Sequence, residues 1–83
     1  MAESGTLIVR YFAAAAEAAG RDEETVEFTG TVASLKELLV ELHGASMERV
    51  LRAGSFLIGG VVSRDDTLPV AGRVDVLPPF AGG

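Results

Sequence analysis

The chain of 83 residues contains no cysteine, no tryptophan and a single histidine. Without cysteine it cannot form a disulfide, a thiolate zinc site or an iron–sulfur centre, and it has no thiol nucleophile. Residues 1–4 lack the cationic segment and apolar run of a signal peptide. No uncharged stretch approaches the roughly 20 residues that span a membrane. These features predict a soluble, cytoplasmic protein.

Cationic residues are also scarce, with 7 Lys and Arg against 12 Asp and Glu, a formal net charge of -5 and a pI near 4.6. Because nucleic-acid affinity depends on cationic side chains at phosphates, this balance argues against a nucleic-acid partner. It argues equally against an anionic membrane surface. The length allows one domain, and a domain of this size must pack a lean core efficiently.

Side chains typical of catalysis are few. His43 is the only histidine, so one chain cannot supply a two-histidine metal site. It falls in the last turn of a predicted helix, where a cation complements the helix dipole, and a structural role is favoured over a catalytic one. Gly59 and Gly60 lack the G-x-G-x-x-G pattern and a following helix, so no phosphate-binding loop is predicted.

The acidic residues predict no acid–base pair. Asp65 and Asp66 lie in a segment rich in turn residues, where neighbouring carboxylates are usually solvated turn formers. Glu23, Glu24 and Glu27 are interpreted as the solvent-facing side of a strand. The sequence therefore predicts no metal site and no conventional active site.

One helix is clearly amphipathic. An apolar stripe begins at Val32 and ends before Gly44, and it consists of Val32, Leu35, Leu38, Leu39 and Leu42. Two N-caps compete: Thr31, or Ser34 with Glu37 in a capping box. Thr31 is preferred because Val32 already belongs to the stripe.

The remaining elements are short. Strands are predicted at 7–12, 24–28, 56–58, 61–62 and 73–77, and short helices at 13–19 and 47–52. Gly59 and Gly60 form a hairpin turn, and a loop covers 63–72. Since one main helix covers only one face of a sheet, the order predicts an α+β fold. The expected arrangement is the ubiquitin-like β-grasp, a mixed sheet of four to five strands wrapped over one main helix.

The predicted strands carry apolar residues on both faces. Leu7, Val9 and Tyr11 alternate with Ile8 and Phe12. A solvated antiparallel face is normally polar, so the surplus indicates a protein interface. Alternatively, the short helices at 13–19 and 47–52 cover the second face.

The C-terminal tail is the most informative segment. Gly82 and Gly83 follow Pro78 and Pro79 closely, which predicts a β-grasp domain at 1–79 and a flexible reactive tail at 80–83. Glycines allow close backbone approach in a narrow channel, and the prolines start the tail extended. An extended chain from Pro79 to Gly83 reaches roughly 16 Å. ATP can activate the α-carboxylate of Gly83 as an acyl-adenylate.

The segment Leu77-Pro78-Pro79-Phe80-Ala81-Gly82-Gly83 resembles the terminal signature of the MoaD/ThiS sulfur-carrier family. Within that family, the two prolines are most similar to those of the small subunit of molybdopterin synthase. Tyr11-Phe12-Ala13 at the end of the first strand, and Val32 with Leu35 in the long helix, agree with the resemblance. The chain departs from the family where Gly59-Gly60 replaces a common Asn-Gly turn and Ala71-Gly72 a Gly-Asp pair.

The resemblance implies that a MoeB-like, E1-like enzyme uses ATP to adenylate Gly83 and that a sulfurtransferase supplies sulfur for a thiocarboxylate. The tail, now carrying the thiocarboxylate, then enters a MoaE-like large subunit in a heterotetramer. There it delivers sulfur to cyclic pyranopterin monophosphate for the molybdenum cofactor. Catalytic side chains belong to the partner, and no cofactor is bound permanently. Pro78, Pro79, Phe80, Ala81 and Gly82 are the expected tail contacts, with Phe80 as the apolar anchor.

Two other classes of function remain open. The chain could carry sulfur to another acceptor, such as the thiamine thiazole, cysteine or tRNA. It could instead be a ubiquitin-like modifier joined to lysines, or a non-catalytic β-grasp adaptor.

Overall fold

The structure, a computed structural model, describes residues 5–79 of the chain. The predicted tail residues Phe80, Ala81, Gly82 and Gly83 lie outside the described residues. Within residues 5–79, three helices and seven strands follow one another in the order β1 (Thr6–Tyr11), α1 (Ala14–Ala19), β2 (Glu23–Glu27), β3 (Gly30–Thr31), α2 (Val32–His43), α3 (Ala45–Ala53), β4 (Ser55–Ile58), β5 (Val61–Ser63), β6 (Pro69–Val70) and β7 (Gly72–Leu77).

Five strands form one mixed sheet in the order β2-β1-β7-β4-β5. β1 and β7, which come first and last along the chain, lie side by side in this sheet and are parallel, with Val9 opposite Val74 and Tyr11 opposite Val76. The other pairs are antiparallel. A mixed sheet in which antiparallel strands flank the parallel pair β1 and β7, packed against helices, confirms the predicted α+β, ubiquitin-like β-grasp.

The core lies between one face of this sheet and the three helices. Alternate residues of the strands point inward and are almost completely buried: Leu7, Val9, Tyr11, Phe56, Val74 and Val76. The helices contribute Ala15, Val32, Leu35, Leu39, Met47 and Leu51. Fully burying an aliphatic or aromatic side chain of this size stabilises the fold by about 1.5–3 kcal/mol. Because all three helices contribute residues to this core, the helical layer lies on this face, which we call the inner face.

Helix α2 begins as the sequence predicts. The Thr31 hydroxyl accepts from the Ser34 amide at 3.4 Å, and the Ser34 hydroxyl accepts from the Thr31 amide at 3.0 Å. Thr31 is thus the N-cap, and Ser34 completes its capping box and is not a rival cap. The helix ends before Gly44, as predicted.

Leu42 does not belong to the buried stripe, contrary to the prediction, and is 50% exposed. At 100° per residue, His43 lies nearer than Leu42 to the centre of the stripe formed by Val32, Leu35 and Leu39. In the last turn of α2 the inward position therefore belongs to a histidine, and Leu42 turns towards solvent.

Two other differences concern short elements. The predicted loop after Ser63 contains β6, which pairs with β3 through Gly30 opposite Val70 and Thr31 opposite Pro69. Two-residue strands depend on their pairing and leave no periodic pattern in the sequence. The second short helix is longer than 47–52, since Ala45–Ala53 is helical. Gly59 and Gly60 form the predicted turn, with φ of 58° and 82°.

Candidate functional site

The strand that leads to the tail is held in the middle of the sheet. Strand β7 pairs with β1 on one side and with β4 on the other. Beyond the strand pairing, the Phe12 amide donates to the carbonyl of Val76 at 3.2 Å. Pro78 is half-buried and Pro79 exposed directly after the strand ends. The diproline segment therefore starts from a fixed point on the domain.

A close backbone contact tightens this point further. A Cβ atom on Gly54 would lie 2.2 Å from the carbonyl oxygen of Leu77, the last residue of β7. Such a contact is impossible for any other residue without movement of backbone. Gly54 also ends α3, and its amide donates to the carbonyl of Val50 at 2.9 Å. The α3–β4 junction therefore packs directly against the residue that precedes Pro78.

None of the three helices in the described part of the chain covers the opposite face of the sheet. We call this the outer face, and it carries the side chains Ile8, Arg10, Phe12, Leu57, Val62, Arg73, Asp75 and Leu77. Ile8 and Phe12 are each 37% exposed and Val62 is 47% exposed. Of the two alternatives left open by the sequence, coverage by the short helices is wrong, because α1 and α3 pack into the inner core. An uncovered apolar face is typical of a protein interface.

Of the charged groups on the outer face, Arg10 contacts an aromatic ring, whereas Asp75 has a buried oxygen without a partner in the described residues. The guanidinium of Arg10 lies over the Phe12 ring, with Cζ 5.4 Å from its centroid, in a cation–π contact. Across the sheet, Arg10, Asp75 and Leu57 occupy one row. Asp75 is only 7% exposed, and its Oδ1 is buried without a hydrogen-bond partner in the described part of the chain. Leaving a buried acceptor unpaired costs about 1–3 kcal/mol.

Sequence analysis did not single out Asp75. In a strand written Arg-Val-Asp-Val-Leu, an aspartate between two valines is the expected solvent-facing residue of an alternating pattern. Its burial arises from its neighbours on β1 and β4, which only the sheet order reveals. The one signal in the sequence was the position of this acidic residue within the otherwise apolar segment 74–77, at the end of the strand.

The inner side of the sheet holds a polar cluster of Tyr11, Glu24 and His43. The Tyr11 hydroxyl donates to Glu24 Oε2, and His43 Nε2 lies 2.6 Å from the same oxygen. The side chains of Glu24 and His43 are only 11% and 12% exposed. The interpretation of Glu24 as a solvent-facing residue is therefore wrong. Glu24 has the same strand parity as the inward-facing Val26, so it points towards α2.

This cluster changes the acidity of its members. Burial alone would raise the pKa of Glu24, but the hydrogen bonds with Tyr11 and His43, and the charges of His43 and Arg21, outweigh it and lower that pKa. Burial raises the pKa of Tyr11, and the hydrogen bond to Glu24 adds to the rise. The tyrosine stays protonated as a donor and the glutamate stays ionised as an acceptor. The cluster joins β1, β2 and the end of α2, which agrees with a structural role for His43.

Asp65 and Asp66 lie in a turn-rich segment, as the sequence predicts. Asp65 Oδ1 accepts from the amide and the hydroxyl of Thr67 at 2.9 and 2.7 Å, and these bonds lower the Asp65 pKa. Asp66 pairs with Lys36 at 2.8 Å. Within residues 5–79, no three His, Asp or Glu side chains lie together as a metal site would need. The described helices include none that is long and apolar enough to cross a membrane.

Comparison with solved structures gives several close folds. SAMP1 from Haloferax volcanii matches with a TM-score of 0.74 at 27% identity, over 95% of this chain and 100% of the other. A candidate molybdopterin converting factor, subunit 1, from Pyrococcus furiosus matches with a TM-score of 0.78 at 25% identity, over 93% of this chain and 100% of the other. The small archaeal modifier protein 1 from Methanosarcina acetivorans has the same fold, with a TM-score of 0.74 at 22% identity over 99% and 100% of the two chains.

Neither a family model nor a curated protein matches the sequence. The structural neighbours, matched along almost their whole length, confirm the resemblance to the MoaD/ThiS group of ubiquitin-like sulfur carriers.

Proposed function

We propose that this ubiquitin-like sulfur carrier is the small subunit of a molybdopterin synthase and that it carries sulfur on the α-carboxylate of Gly83. The main support is one arrangement: the central strand β7 leads through Pro78 and Pro79 into the Phe-Ala-Gly-Gly segment. The similarity to the candidate molybdopterin converting factor subunit of Pyrococcus furiosus supports the pathway. Gly83 must carry the free carboxylate in the working protein, and an intact mass checks this.

The chemistry proceeds in two stages on Gly83. Its carboxylate oxygen attacks the α-phosphorus of ATP on a MoeB-like, E1-like enzyme, and pyrophosphate leaves. The terminal sulfur of a sulfurtransferase persulfide then attacks the acyl carbon, and AMP leaves. A second thiol of that relay cleaves the resulting acyl disulfide and releases the thiocarboxylate. The chain itself has no cysteine, so every thiol in these reaction steps belongs to a partner.

The domain contributes recognition and position to this chemistry. The exposed apolar residues of the outer face, including Ile8 and Val62, provide a surface for the activating enzyme and for a MoaE-like large subunit. Phe80 is the proposed anchor inside the large subunit, next to the prolines. The catalytic side chains are those of the large subunit, which transfers the sulfur to cyclic pyranopterin monophosphate within a heterotetramer.

Reconstitution tests this role. The full chain is incubated with the recombinant MoeB-like enzyme of the same genome, ATP and a persulfide donor, and its intact mass is measured. The expected product is heavier by the difference between sulfur and oxygen, and it forms molybdopterin with the large subunit. A chain that lacks Gly82 and Gly83 serves as the control. Equal molybdopterin formation by that control, or no mass change in the full chain, contradicts the proposed role.

A second candidate function uses the same carboxylate. The similarity to SAMP1 at 27% identity favours a modifier that is joined to lysines of other proteins. Immunoblots of the native host distinguish the two functions. A modifier gives a ladder of larger conjugates that disappears when Gly82 and Gly83 are deleted, whereas a carrier for molybdopterin gives none and its loss abolishes molybdenum-enzyme activity. A carrier for the thiamine thiazole, cysteine or tRNA leaves molybdopterin formation intact.

A further inference from the structure

The buried carboxyl of Asp75 is an unexplained feature of the outer face. Its Oδ1 is inaccessible to solvent and has no hydrogen-bond partner among residues 5–79. Buried polar atoms in folded proteins nearly always have a partner, so each exception needs an explanation. No step proposed above for Gly83 requires an acidic group at this position.

Two nearby arginines do not satisfy this carboxyl. Arg10 lies directly opposite Asp75 on β1, but its guanidinium lies over the Phe12 ring. Arg73 is two residues away on the same face of β7. The ion pairs of the described residues involve Glu24, Glu48 and Asp66, and none includes Asp75. The domain thus holds an acidic acceptor in place and leaves it unpaired.

The surroundings of Asp75 have the form of a small recognition site. It lines an open hollow of about 530 Å³ on the outer face, and the other side chains and glycines of its lining include Ile8, Leu57, Arg73, Gly59 and Gly60. Apolar walls exclude water when a partner docks, which strengthens a charged hydrogen bond inside them. Glycines at the rim let a long side chain approach without steric hindrance from a Cβ.

We propose that Asp75 is the specificity-determining acceptor for a cationic side chain, arginine or lysine, of the protein that docks on the outer face. This inference rests on the proposed function, because it assumes that an activating enzyme or large subunit uses this face. The charges of the chain favour a cation, since its net charge is -5 and the outer side of the sheet carries Glu23, Glu27 and Asp75 against Arg10 and Arg73.

The test compares Asp75→Asn and Asp75→Ala with the wild type in the full chain. Kd is measured by calorimetry against the recombinant MoeB-like enzyme and against the MoaE-like large subunit. Asparagine keeps the shape and one acceptor oxygen but loses the charge. We expect Asp75→Asn to weaken binding at least tenfold for one of the two partners, Asp75→Ala to weaken it at least as much, and neither to lower Tm.

The salt dependence of Kd gives a second measurement. The wild-type Kd should rise more steeply with NaCl than that of Asp75→Asn, because a charge pair is lost in the variant. Should Asp75→Asn lower Tm, the measurement is made well below its melting transition, and the difference in salt dependence decides.

Three outcomes overturn the inference. An unchanged Kd for Asp75→Asn shows that the acceptor needs no cation. An equal loss in Arg10→Gln shows that Arg10 moves onto Asp75 on docking and supplies the cation from within the chain. Absence of binding by the wild type to both partners overturns the proposed function as well. Thiocarboxylate formation on the wild type, with unchanged binding of Asp75→Asn, overturns the inference alone.

Discussion

Tyr11 and Glu24 lie on neighbouring antiparallel strands and are joined by a hydrogen bond on the helical side of the sheet. His43 reaches the same carboxylate from the last turn of α2 and meets the Tyr11 ring edge-on, with ring centroids 5.8 Å apart. One glutamate therefore joins the edge strand β2, the strand β1 beside it and the main helix. The stability of the domain should depend on it.

Replacing Glu24 by alanine leaves two largely buried polar groups, the Tyr11 hydroxyl and the His43 imidazole, without their acceptor. We expect Glu24→Ala to lower the free energy of unfolding by about 1–3 kcal/mol, measured by urea denaturation. Glu23→Ala, one residue earlier on the exposed side of the same strand, is the matched control and should change it by less than about 0.5 kcal/mol. Equal losses in the two variants would mean that the cluster contributes nothing specific.

The decrease of the free energy of unfolding at acidic pH should also depend on Glu24. The pKa of Glu24 is lowered in the folded protein relative to its usual value of 4.5. Its stabilising contribution is therefore fully present above pH 4.5 and is lost as the pH falls through the folded-state pKa. Glu24→Gln should flatten this part of the pH dependence of unfolding. A slope below pH 4.5 identical to that of the wild type would contradict the assignment.

Ala13 lies in a strained backbone conformation between β1 and α1. Its φ of 55° and ψ of -123° suit glycine, and it is the one residue other than glycine with positive φ in the described chain. We expect Ala13→Gly to raise stability by about 1 kcal/mol, which corresponds to roughly 4–8 °C in Tm for a domain of this size. Ala16→Gly, in the middle of α1, is the control and should lower stability by about 1 kcal/mol.

Val62 tests the outer face as a docking surface. Because its side chain is 47% exposed, Val62→Asp should leave Tm almost unchanged while weakening binding to the activating enzyme or the large subunit about tenfold or more. Leu42→Asp places the same charge on a comparably exposed leucine of α2, away from this face. If both variants bind equally well, or if both lose binding equally, the outer face is not the docking surface.

Gly82 tests the tail without touching the domain. Gly82→Val introduces a branched side chain beside the carboxylate that the proposed function uses, so adenylation of Gly83 should fall by at least about a hundredfold while the thermal transition stays the same. One residue appended after Gly83 should abolish charging, because it replaces the carboxylate by an amide. The measurement is ATP-dependent pyrophosphate exchange with the MoeB-like enzyme. Normal exchange by either variant rules out Gly83 as the reactive residue.

The sequence predicted the fold because its local signals agree with one another. The apolar alternation of β1, the capping box at Thr31 and the turn at Gly59 and Gly60 each specify a local structure that fits the same sheet. The strand β6 escaped prediction because its existence depends on a partner 40 residues away in the chain, Gly30 opposite Val70.

The two acidic residues that matter most were harder to predict. Glu24 and Asp75 have charged side chains, and composition alone places such residues in solvent. Their burial is decided by tertiary neighbours: His43 from α2 for the first, and the strands β1 and β4 for the second. The two prolines and two glycines alone indicated an extended tail with an accessible carboxylate, whereas its assignment to sulfur transfer came from the resemblance, since Gly82 and Gly83 have no side chains whose pattern could indicate a role.

The central position of β7 has a mechanical consequence for the diproline segment that follows it. A pull on the diproline segment loads two hydrogen-bonded ladders at once, one shared with β1 and one with β4. Fraying begins at sheet edges and chain ends, so both ladders must break before the diproline segment loosens. A force applied at Pro79 is therefore shared with β1 and β4 before it reaches the rest of the domain.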